Sequence, residues 1–243
     1  MQSIRCSTGP SVHTDLIWFA LAAVILAATA AVLLMRTGVL LQAVAVAGLI
    51  AILVRQGVTS HAAAGGLGPA DRITLLRAAG VAALTGLPFQ VELGSNALWA
   101  VVGVAGLLLI LDGVDGAVAR RTGTASAFGA RFDMELDAFF ILVLCLLLWQ
   151  SGPLGAWVLL IGLLRYLFVG AGLLLPALRE PLPDRLRRKM ACVVQILALL
   201  LSLAPLTSDG QAGMIMLGAL AVLAYSFTVD THWLLRNAAG RKI

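Results

Sequence analysis

Asn96 to Arg120 reads NALWAVVGVAGLLLILDGVDGAVAR. From Ala97 to Leu111 every residue is apolar or glycine, and then Asp112 and Asp115 interrupt what would otherwise be a continuous hydrophobic run. A helix needs roughly 20 apolar residues to cross a bilayer, and this stretch is long enough. It reads as a membrane-spanning helix with two carboxylates set into one end.

The rest of the chain agrees. Of its 243 residues, 60% are hydrophobic and only 12% charged, against roughly 25% charged in a soluble domain. Mean hydropathy is +0.99. Too little polar surface remains to face water, which excludes a soluble globular protein. Aromatic residues are scarce at 6%, and a bulk of Leu, Ala, Val and Ile suits lipid-facing helices rather than barrel strands with aromatic girdles. The expected fold is all-α, a polytopic membrane helix bundle.

Eight apolar runs serve as candidate spans, at about 15–35, 38–54, 72–88, 96–120, 130–150, 153–175, 189–205 and 211–234. The first ends near Ala28-Thr29-Ala30, which resembles a leader cleavage site, but it is longer than the usual 7–15 residues of a signal peptide and is read as a retained span. Pro153 and Pro205 punctuate span ends, and Asp209-Gly210 reads as a turn. A Gly-, Ala-, Ser- and His-containing linker, read as interfacial or irregular, separates the first two runs from the other six. The division is a two-span extension (1–56), a linker (57–69) and a six-span core (70–243).

Basic residues orient the chain. With the N-terminus inside, the inside segments hold Arg5, Arg55, Arg72, Arg120, Arg121, Arg131, Arg179, Arg185, Arg187, Arg188, Lys189, Arg236, Arg241 and Lys242, and the outside segments hold only Arg36. Both termini are therefore expected in the cytoplasm, with the protein in the cell (inner) membrane. The net charge of +5 belongs to those loops, and no nucleic-acid partner is expected. Cys6, Cys145 and Cys192 show no metal-type spacing and imply no disulfide framework. His61 and His232 are isolated and read as surface residues. Gln195 lies within a span, where an acceptor pocket or one interhelical hydrogen bond would explain it equally.

Four Asp fall at membrane depth: Asp112, Asp115, Asp133 and Asp137. Each charge in hydrocarbon costs roughly 2.5–3.5 kcal/mol on insertion scales, so the four must meet water, counter-charges or metal. Asp112 and Asp115 are three apart and Asp133 and Asp137 four apart, so each pair shares a helix face. The two helices are consecutive and antiparallel, which brings the pairs to similar depth. Glu135 lies roughly 200° round the helix from Asp133 and points elsewhere. An all-oxygen cluster suits Mg²⁺ or Mn²⁺ rather than zinc; the bland alternative is pairing with neighbouring Arg at the loop. Gly116 and Gly129 let a bulky phosphate approach the backbone, and Arg120 offers a guanidinium able to grip it. Metal, Arg and small residues together are what a pyrophosphate needs.

From Asp112 the chain reads D-x2-D-G-x2-A-R-x8-G-x3-D-x3-D, with Asp112, Asp115, Gly116, Ala119, Arg120, Gly129, Asp133 and Asp137 at the fixed positions. This pattern resembles the signature of the CDP-alcohol phosphotransferases, and the resemblance covers about residues 70–236. A second segment, Asp71-Arg72-Ile73-Thr74-Leu75-Leu76-Arg77, is similar to the N-x-x-T-x-x-R opening of that family's first core helix, with Asp in place of Asn. On its own it is also an ordinary helix start, with Pro69 and Asp71 as N-terminal signals.

The resemblance implies transfer of a phosphatidyl group from CDP-diacylglycerol to an alcohol with release of CMP, in phospholipid biosynthesis. It implies Asp112, Asp115, Asp133 and Asp137 as ligands of two Mg²⁺ or Mn²⁺ ions, Asp137 also as catalytic base. It implies Gly116, Arg120 and Ser126 at the CDP-lipid, Asp71 and Thr74 at a second nucleotide-contact segment, and a homodimer. Arg165 lies inside a span and reads as part of an acceptor pocket, since a mid-span Arg seldom lacks a function. Arg185-Leu186-Arg187-Arg188-Lys189 is either the rest of a pocket for a phosphorylated alcohol, such as glycerol 3-phosphate or inositol phosphate, or a positive-inside anchor. The R-E-I and K-T-x-x-Q patterns of a bacterial phosphatidylglycerophosphate synthase are absent, which leaves the acceptor open. Competing readings are an ion or proton-coupled transporter, which would place its carboxylates near the midplane and often show inverted repeats, and an inactive relative of the same fold.

Overall fold

The computed structural model describes residues 14–23, 25, 37–60, 69–88, 93–122, 127–152, 154–175, 178 and 186–240. Among them there is no strand. The helices are α1 (Thr14–Ala23), α2 (Thr37–Ser60), α3 (Pro69–Leu84), α4 (Ser95–Thr122), α5 (Ala127–Ser151), α6 (Leu159–Leu174, entered through a 3-10 turn at Ala156–Val158), α7 (Leu186–Leu203) and α8 (Asp209–Gly240). Each overlaps one of the eight apolar runs. The all-α membrane architecture therefore stands.

Four segments are long and apolar enough to cross a bilayer: Gly38–Arg55, Ser95–Val118, Ala156–Leu174 and Asp209–Asn237. The other helices are shorter or more charged. Helix α3 has 16 residues and carries Asp71, Arg72 and Arg77. Helix α5 spends its first turns on Arg131, Asp133, Glu135 and Asp137, and α7 begins with Arg187, Arg188 and Lys189.

Local chemistry accounts for the boundaries. Pro69 occupies the first position of α3, where its missing N–H costs nothing, and Asp71 complements the positive end of the helix. The turn expected at Asp209-Gly210 instead lies just before it, because Asp209 already opens α8. The Gln211 side chain accepts from both the backbone N–H and the hydroxyl of Ser208 at 3.0 Å, the Gln-to-N-cap half of a capping box, and the helix starts one residue after Ser208. Helix α2 likewise runs on to Ser60, into the stretch expected to be linker. A lone Gly57 costs about 1 kcal/mol, too little to stop a helix already formed. His61 and the remainder of that linker to residue 68 lie outside the described residues.

The chain divides into two units, and the division passes through α4 and α5. The first comprises the chain up to Val91 together with Val104–Leu136. Its centre is α3, where Ala78, Ala79, Val81, Ala82 and Leu84 are all buried. A side chain on Gly80 would meet Leu108 of α4, its Cβ only 2.6 Å from a Leu108 methyl carbon. Glycine there permits close approach of the two helices.

The second unit comprises Glu92–Gly103 and Asp137–Ile243. A Cβ on Gly162 would lie 2.7 Å from the Leu142 Cα, so the α6 backbone comes close to the α5 backbone at Leu142. Helices α7 and α8 are tied at two levels. Arg187 donates to the Ser226 carbonyl at 2.7 Å and pairs with Asp230, while the Gln195 amide donates to the Ala219 carbonyl at 2.6 Å. Moving eight residues along α7 moves the partner seven back along α8, the register of an antiparallel pair. Gln195 thus makes the interhelical bond that was one of its two readings. His232 is exposed on α8 and Cys145 is buried among apolar neighbours on α5.

Candidate active site

Helix α4 presents Asp112 and Asp115 one turn apart, and α5 presents Asp133 four residues before Asp137, so helical spacing alone directs each pair to one face. Within the first unit the three carboxylates of Asp112, Asp115 and Asp133 converge on a single nitrogen. Arg77 Nη1, from α3, lies 2.8 Å from Asp112 Oδ1, 2.9 Å from Asp115 Oδ2 and 2.5 Å from Asp133 Oδ1. Thr74, one turn before Arg77, donates its hydroxyl to Asp115 Oδ2 at 3.1 Å. Three helices therefore meet through five polar side chains.

Burial grades across this cluster. Arg77 is 2% exposed, while the Asp112 and Asp133 side chains are 23% and 37% exposed. The guanidinium thus sits at the floor, beneath carboxylates that open outward. Three negative groups at hydrogen-bond distance from one cation are mutually repulsive, and that cation offsets the repulsion.

Asp137 belongs to the same helix as Asp133, and α5 is continuous where the unit division crosses it between Leu136 and Asp137. Within the first unit, a carboxylate oxygen of Asp133 lies within 4.8 Å of one from Asp112. Asp137 is partly buried, and the Cys192 thiol of α7 approaches its Oδ2 at 3.7 Å. The donor set is carboxylate oxygen throughout, with no imidazole among it, and that chemistry fits a hard divalent cation such as Mg²⁺ or Mn²⁺. Asp115 differs from Asp112 and Asp133 in being 5% exposed and in accepting from Thr74 as well as from Arg77.

The remaining residues singled out in the sequence are placed as follows. Asp71 is 9% exposed, in the first turn of α3 and one turn before Thr74. Gly116 follows Asp115 directly on α4, and Glu135 is exposed on α5. Arg120 is in the last turns of α4 with its side chain outside the described residues, and Ser126 lies outside them altogether. Arg165 is partly buried on α6, inside the Ala156–Leu174 segment of the second unit. Within the basic stretch, Arg187 is spent on the α7–α8 tie while Lys189 is exposed.

Arg77 is the residue that sequence reasoning passed over. It stands in the quoted opening of α3, yet no role was given to it. Its signal was available: a lone Arg between Leu75-Leu76 and Ala78-Ala79, in a chain with four membrane-depth Asp to neutralise. The alternative of Asp paired with Arg is realised in this way, but with an Arg from a different helix rather than from the loop.

Compared with known protein families, residues 67–229 match the model described as CDP-alcohol phosphatidyltransferase. No curated protein and no solved structure matches the chain.

Proposed function

The chain belongs to the CDP-alcohol phosphatidyltransferase family, and from that premise we propose that it transfers a phosphatidyl group from CDP-diacylglycerol to an alcohol acceptor, releasing CMP. Family membership and the apolar helices make it a membrane enzyme of phosphatidyl transfer. The observation that carries the finer reading is the gathering of Asp112, Asp115 and Asp133 on one buried cation, with Asp137 a turn further along α5. Carboxylates this close are costly to keep, and a reaction on a pyrophosphate gives a reason to keep them.

The four aspartates would hold two Mg²⁺ or Mn²⁺ ions, which when bound offset pyrophosphate charge and stabilise CMP as a leaving group. Asp137 takes the proton from the acceptor hydroxyl as that oxygen attacks the β-phosphorus. The phosphoanhydride bond breaks, and CMP departs with the bridging oxygen and its electron pair. A carboxylate among cations is a weak base, so Asp137 works by position more than by basicity. Gly116 leaves room for the CDP head at the α4 backbone, Arg120 and Ser126 contact it, and Asp71 and Thr74 bind from α3. Arg165 recognises the acceptor, and a phosphorylated alcohol would give that mid-span cation its counter-charge. The reaction is placed on the cytoplasmic side of the cell membrane, in a homodimer.

The test uses purified protein in detergent with CDP-diacylglycerol, Mg²⁺ or Mn²⁺ and a panel of alcohols that includes glycerol 3-phosphate and inositol phosphate. CMP release that requires both the cation and one acceptor is expected, with loss of at least about 10²-fold in excess chelator. Release that persists unchanged in chelator would remove the metal from the account.

A further inference from the structure

The family match begins at residue 67, so α1 and α2 lie outside it. Both helices pack in the first unit, and both meet α3. That helix carries Asp71, Thr74 and Arg77, each more than nine-tenths buried. A helix delivering three buried polar side chains has to be held against rolling and sliding, since a roll of one residue turns every side chain by about 100°.

Two contacts hold α3 near its two ends. At its start, Arg72 Nε pairs with Asp15 Oδ1 of α1 at 3.1 Å. Beyond its other end, a Cβ on Gly86 would fall 2.6 Å from the Val39 carbonyl oxygen and 2.8 Å from the Val39 Cα. The α2 backbone therefore lies directly against the turn that follows α3. Between these points the extension shows one face each. Asp15, Phe19 and Ala23 on α1 and Val39, Ala43 and Ala47 on α2 are buried at four-residue intervals, the spacing of a helix packed along a single stripe.

The charge pair is unequal. Asp15 is 7% exposed and Arg72 41%. The second Asp15 oxygen is buried without a hydrogen-bond partner among the described residues, so the compensation of that carboxylate rests on Arg72. Arg72 in turn is the backbone neighbour of Asp71.

We infer that α1 and α2 are a brace for α3, and that Asp15 and Arg72 are positioning residues that fix the substrate segment beginning at Asp71. Neither touches the reacting atoms. The inference rests on the phosphatidyl-transfer reading and deepens it by giving the amino-terminal extension a part in substrate binding. The extension sets how well the CDP head is bound rather than how fast the bond breaks.

The unequal burial makes the inference sharp. Arg72→Gln strands a buried carboxylate, whereas Asp15→Asn frees an Arg that already reaches solvent, and the first costs more. In the full-length protein, hydrogen exchange of the amides of the first turns of α3 is expected to quicken about tenfold or more in Arg72→Gln and only a few-fold in Asp15→Asn. The double variant should resemble Asp15→Asn. The KM for CDP-diacylglycerol rises in the same order while kcat stays within about twofold. Equal exchange and equal KM in all three variants would overturn the brace, and so would a fall in kcat at unchanged KM. Should Arg72→Gln not fold, Asp15→Asn and the double variant are each compared with wild type, and exchange and KM unchanged from wild type in both would overturn the brace. A wild-type protein that releases no CMP would sink the phosphatidyl-transfer reading, while the exchange rates would still decide whether α1 braces α3.

Discussion

Replacing Arg77 by Met is expected to leave the metal-free protein severely destabilised, and added Mn²⁺ is expected to recover much of the loss. Three carboxylates lie within 2.9 Å of Arg77 Nη1, and the side chain is 2% exposed. Without it, Asp112, Asp115 and Asp133 face one another with the cation they share removed. Breaking a buried pair by removing one partner costs roughly 3–5 kcal/mol, a large share of the roughly 5–15 kcal/mol that holds a protein folded. For a chain of this size that is a fall of roughly 10 °C in thermal midpoint. Arg77→Lys keeps a charge but is a single point donor in place of a planar fork, and its fall should be smaller. Thermal unfolding in detergent with chelator, then with Mn²⁺, checks this. A midpoint unmoved by Arg77→Met would show that the carboxylates are balanced by something else.

Asp137→Asn is expected to lower turnover by about 10²–10⁴-fold, the range for removing a positioned general base. Asn matches Asp in shape, keeps one oxygen acceptor and leaves α5 unchanged, so Mn²⁺ and CDP-diacylglycerol should still bind. The two effects separate the base from the ligand set. Single-turnover CMP release beside equilibrium binding of Mn²⁺ measures both. Near-normal turnover in this variant would remove Asp137 from the role of base.

The contrast between these two residues shows what the sequence could carry. Asp137 was legible because it repeats Asp133 at i+4 inside an apolar run and completes a spaced motif. Its setting is intrahelical, and intrahelical spacing is written in the chain. Arg77 acts on distant stretches of chain, on α4 and α5 at once, and no periodicity records such a contact. The same holds for the pairing of Asp15 with Arg72 and for Arg187, which looked like one of a row of loop cations and instead ties α7 to α8. The helices themselves were legible because apolar runs of span length have few other uses. Their ends were less so: α2 outran its apolar run to Ser60, and Ser208 with Gln211 opened α8 at a place that read as a turn.

The most direct measurement of the central claim follows one phosphorus atom. CDP-diacylglycerol labelled at the β-phosphate, the one nearer the lipid, is incubated with the purified protein, Mn²⁺ and the acceptor that releases CMP, and the nucleotide and lipid products are separated. Attack at the β-phosphorus predicts that all released label is in the new lipid and none in CMP. Label leaving with the nucleotide, as CDP, would place the broken bond on the glycerol side and contradict phosphatidyl transfer.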